Sequence, residues 1–130
     1  MHAQKISKTI TSALAYIRDA ADAHTKGNED RVIQLTWRAS SELEYGLFLF
    51  ALKNEKEKRS TPWKLPASKQ PEIELLLNTI HDSLKEAAKN LETENLEEAY
   101  KKMWIAKGQL LRLHDLFEKK RKAQEHPSQR

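Results

Sequence analysis

Cysteine is absent from the 130 residues, glycine occurs three times, proline four times, and aromatic side chains make up 7%. The first absence excludes disulfides, thiolate nucleophiles and sulfur-based metal sites, and it fits a reducing compartment. With so little Gly and Pro there are few enforced turns, so long elements are favoured. The 32% charged fraction, carried beside Ala and Leu, suits helices far better than strands. No run reaches the roughly 18 apolar residues of a membrane span, and the stretch from Met1 to Lys8 has no apolar signal core. The reading is a soluble, cytoplasmic chain. Residues 1–130 form one domain, long enough to bury a core without staples.

Four amphipathic segments account for the apolar residues. Ile6, Ile10, Ala13, Ile17 and Ala20 recur at steps of three and four and form the stripe of a first helix, which Gly27 stops. Asn28 caps a second helix, with Glu29 and Asp30 in the first turn where the dipole favours negative charge. Its seam runs through Val32, Thr36, Ala39, Leu43, Gly46 and Phe50. Residues 59–70 form a linker holding Pro62, Trp63, Leu65 and Pro66. Pro71 suits the opening of a third helix with the seam Ile73, Leu77, Ile80, Leu84, Ala87 and Leu91. Asn95 and Glu98 have capping-box spacing, and a fourth helix follows from Leu96 to about Lys122. Residues 123–130 form a polar tail.

At an offset of 67 residues the second half lies on the first without a gap, Arg18–Lys53 over Lys85–Lys120. Identical pairs include Ala20/Ala87, Ala21/Ala88, Asn28/Asn95, Trp37/Trp104, Leu43/Leu110 and Phe50/Phe117. A shared heptad would align Ala with Ala and Leu with Leu, but it does not require the Asn and Trp pairs. Each hairpin, about 5–58 and 71–122, is too thin to bury its own stripe. Together they predict an all-α, antiparallel four-helix bundle built from two repeated helical hairpins.

Leu43 to Leu52 carries more apolar side chains than one buried face can use. Leu43, Gly46 and Phe50 belong to the seam, while Tyr45, Phe48 and Leu52 form a second stripe on the far side. Trp37 and Trp104 also fall off the central seam, where aromatic residues either close the wall of the bundle or anchor a partner. Tyr45, Phe48, Leu52, Trp37 and Trp104 are therefore the candidate interface residues, and the expected partner is a second copy of the chain. The competing expectation is that Trp63 and Leu65 fold back over the stripe.

Catalytic chemistry finds no assembled set, and neither a cofactor nor a metal is implied. Di-iron bundles need Glu and His three apart on inward faces, but Asn78 and Leu111 stand three residues before His81 and His114. The two His-Asp dipeptides, His81-Asp82 and His114-Asp115, lack the further ligands of a metal-dependent phosphohydrolase. Arg18 and His24 have a spacing that resembles the Arg/His motif of helical-bundle ribonucleases of the HEPN type, over seven residues of the chain. On one helix those side chains point about 240° apart and do not converge on a phosphate.

Charge supplies the second functional reading, a nucleic-acid-binding module. If the chain's start, the ends of the second and fourth helices and the linker gather at one pole, cations outnumber carboxylates there. Arg59, Lys64, Lys119, Lys120, Arg121 and Lys122 are the candidate anion-binding residues of that basic patch. Part of the asymmetry needs no ligand, because cations complement helix C-termini.

Overall fold

The computed structural model describes residues 2–53 and 72–125 as four helices: α1 His2–Thr25, α2 Glu29–Lys53, α3 Ile73–Glu92 and α4 Leu96–Glu125. These bounds follow the periodic segments closely. Pro71, Trp63, Leu65, Arg59 and Lys64 lie outside the described residues, as do residues 126–130 of the tail. α3 opens on Glu72, whose backbone is extended (φ −92°, ψ 150°).

Both hairpin turns are built alike. After α1, the N–H of Gly27 bonds to His24 C=O and that of Asn28 to Ala23 C=O. After α3, Glu94 N–H bonds to Leu91 C=O and Asn95 N–H to Asn90 C=O, the same pattern 67 residues on. This is the double closure of a helix end by a left-handed residue. Gly27 takes it at φ 76° and Glu94 at φ 62°. Asn28 then caps α2, its Oδ1 accepting from Arg31 N–H at 3.2 Å. The backbone carbonyls of Asn28 and Asn95 each open their helix, accepting from Val32 N–H at 3.1 Å and from Ala99 N–H at 3.0 Å.

α1 packs on α2 and α3, and α4 packs on the same two, leaving α1–α4 and α2–α3 as diagonals. Residues equivalent by the repeat share the core: Ile10 and Leu77, Ala13 and Ile80, Ile17 and Leu84, Ala20 and Ala87, Leu43 and Leu110, Phe50 and Phe117. An all-α bundle of two hairpins is thus what the stripes produce. Gly46 sits where α1 and α4 both press on α2. A Cβ there would come 2.5 Å from Thr9 Oγ1 and 2.6 Å from Met103 Cε.

The register between hairpins corrects one expectation. Along α2 and α4, Glu29 meets Lys120, Trp37 meets His114, Glu44 meets Lys107 and Phe50 meets Tyr100, so the two helices run antiparallel. The end of α4 therefore lies beside the start of α2, together with the α1–α2 turn and the start of α3. Lys53 is roughly 36 Å further along α2. The ends of α2 and α4 do not gather at one pole, so Lys119, Lys120, Arg121 and Lys122 stand at the opposite end of the bundle from Lys53. Lys53 and Glu72, which flank residues 54–71, stand at opposite poles.

Candidate interaction surface

At 100° per residue, Trp37, Ser41, Tyr45, Phe48 and Leu52 fall within roughly 80° of arc on α2. That sector points away from the core, because the buried Val32, Ala39, Leu43 and Phe50 occupy the opposite side. Trp37, Tyr45, Phe48 and Leu52 are between 47% and 56% exposed. On the neighbouring helix α4, Leu111 is also exposed, and Tyr100 and Trp104 are half-buried. Four large apolar side chains on one helix face are more than scattered surface residues.

Trp37 is held from below. Its ring stacks on the imidazole of His114, with centroids 3.8 Å apart and planes inclined by 9°. His114 is itself buried, and its Nε2 lies 3.2 Å from Thr36 Oγ1. The Thr36 hydroxyl gives its hydrogen to the carbonyl of Val32 or Ile33, at 2.9 and 3.0 Å. Thr36 must therefore accept, so Nε2 carries the imidazole proton and Nδ1 keeps a lone pair. Nδ1 is sealed from solvent and has no hydrogen-bond partner among the described residues. Burial lowers the His114 pKa from 6.5 to about 4. A recess of about 80 Å³ beside it is lined by Ile33, Trp37, His114, Phe117, Glu118 and Arg121. It is smaller than the roughly 150 Å³ that accommodates a benzene ring.

The other candidate residues are dispersed. Arg18 Nε–H donates to His81 Nε2 across the α1–α3 contact at 3.4 Å, and burial, then Arg18, then Lys85 lower the His81 pKa. His24 instead faces the pole where Gly27, Glu29, Ile73 and Lys120 meet. Arg18 and His24 do not converge, as their helical separation requires. Among the described residues no group of three or more His, Asp or Glu side chains is placed to hold a metal ion. No helix among them is long and apolar enough to cross a membrane.

At the end of α4, Lys119 pairs with Asp115 at 3.3 Å, Lys120 with Glu29 at 3.1 Å and Arg121 with Glu118 at 2.8 Å. Lys122 is exposed beside them. Three of these four cations thus already face carboxylates, which reduces the potential they offer to a phosphate. Comparison with family models, with curated proteins and with solved structures finds no match for this chain. The site has to be read from its own residues.

Sequence reasoning located the α2 stripe and set both Trp residues off the seam. It set His114 aside as a metal ligand and missed its stack on Trp37. The stack follows from the antiparallel α2–α4 register, in which residue numbers fall along α4 as they rise along α2, and that register is set by contacts between the hairpins.

Proposed function

We propose that this chain is a small, non-enzymatic helical-bundle protein that acts by association, pairing with a second copy of itself through the outward face of α2. The observation that carries this reading is the exposure of Trp37, Tyr45, Phe48 and Leu52 in one sector of a single rigid helix. Aromatic side chains offer roughly 150–250 Å² each, so half-exposure leaves on the order of 400 Å² of apolar surface on these four. That is about half of the roughly 800 Å² per partner in a standard interface, a proportion that suits an apolar centre with a polar rim.

Burying such side chains recovers roughly 1.5–3 kcal/mol for each one fully removed from water. The helix lends rigidity, so little ordering cost accompanies the contact. Phe48→Glu places a charge in the middle of the face without disturbing the core. Sedimentation of this variant at micromolar concentration should show monomer where the parent chain shows dimer. An oligomeric state indifferent to the substitution would contradict the reading, and a monomeric parent would favour coverage of the face by residues 54–71.

A further inference from the structure

The outward face of α2 is self-complementary, and that property sets how two copies meet; the inference rests on the self-association proposed above. Trp37 and Phe48 lie within roughly 20° of each other around the helix and eleven residues apart, on the edge of the face nearer α4. Arg38 and Tyr45 likewise lie within roughly 20° of each other, seven residues apart, on the opposite edge. A twofold axis perpendicular to a helix keeps each edge on its own side and reverses the chain direction. A residue at one position then meets its counterpart reflected through the axis.

Both pairs have their midpoints between Ser41 and Leu43, so a single axis position serves them together. Trp37 meets the partner's Phe48, and Arg38 meets the partner's Tyr45. Arg38 is exposed and has no ion-pair partner among the described residues, which leaves its guanidinium available to lie on a phenol ring. Ser41 is exposed, small and central to the face, so it lets the two helices approach at the axis. We propose that two copies pack α2 against α2, antiparallel and isologous, about a twofold axis beside Ser41, with Trp37 on the partner's Phe48 and Arg38 on the partner's Tyr45.

The chain contains no cysteine, so single-cysteine variants report on one position each. Ser41→Cys and Asp30→Cys change exposed positions and leave the core intact. Each variant is brought to a concentration at which sedimentation shows dimer and is treated with a short bis-maleimide. Ser41→Cys should shift from 15.1 kDa to twice that mass on a denaturing gel. Asp30→Cys should not, because the antiparallel register sets the two residues roughly 33 Å apart. Efficient linking at residue 30, or none at residue 41, in a sample that sediments as dimer overturns the register and leaves self-association standing. A sample that sediments as monomer overturns both.

Discussion

Burial keeps His114 neutral in the fold: Trp37 covers its face, Thr36 occupies Nε2, and no acceptor among the described residues stands ready for a second proton at Nδ1. Its pKa of about 4 lies below the unfolded value of 6.5, so the unfolded chain binds the proton first as pH falls. The neutral imidazole's contribution is complete above pH 6.5, declines between 6.5 and 4, and levels off below 4. At about 1.4 kcal/mol per pH unit the loss is at most about 3.5 kcal/mol. Chemical denaturation at a series of pH values, with His114→Leu beside the parent chain, measures it. The parent should lose stability relative to the variant across that window, and parallel pH profiles would remove His114 as the cause. Gly46 is the other residue on which packing turns. In Gly46→Ala the clash with Thr9 and Met103 opposes the better helix propensity of Ala, worth about 1 kcal/mol, against overpacking of about 1–3 kcal/mol. A net loss of about 1 kcal/mol in a denaturant titration is expected.

α1 and α3 are each terminated by a turn of the same conformation, 67 residues apart. Gly27 adopts φ 76° with nothing within 4 Å of where a Cβ would stand, whereas Glu94 adopts φ 62° with a side chain present. Glu94→Gly should therefore stabilise the protein by about 0.5–1 kcal/mol, and Gly27→Ala should destabilise it by a similar amount. Opposite shifts of the two unfolding midpoints check that the turns are conformational equivalents; equal signs would contradict it. Helix extents were legible because stripes of Ile, Leu and Ala carry the 3.6-residue period, and Asn28 with Gly27 marks the first hairpin's turn unambiguously. The second turn was harder to read, since Glu94 is a poor signal for a left-handed residue. The relative direction of the hairpins was not legible at all. A linker of a dozen residues reaches either pole, so stripe and cap residues fit both arrangements, and only cross-hairpin contacts such as Glu29 with Lys120 distinguish them. The expected meeting of the α2 and α4 ends failed for that reason, while the α2 stripe, which belongs to a single helix, did not depend on it.

At the scale of the whole molecule, two hairpins close a core that neither could close alone, and four of the exposed large apolar side chains share one side of α2, with Leu75 and Leu111 exposed on α3 and α4. Lys119, Lys120 and Arg121 each face a carboxylate, which lowers the potential that the end of α4 offers to a phosphate backbone. Association through the apolar face remains the property that the described residues support best. Sedimentation equilibrium of the unmodified chain across a concentration series tests it most directly. A reversible rise from 15.1 kDa to twice that mass within the micromolar range is expected, and a mass that stays at 15.1 kDa throughout would contradict self-association.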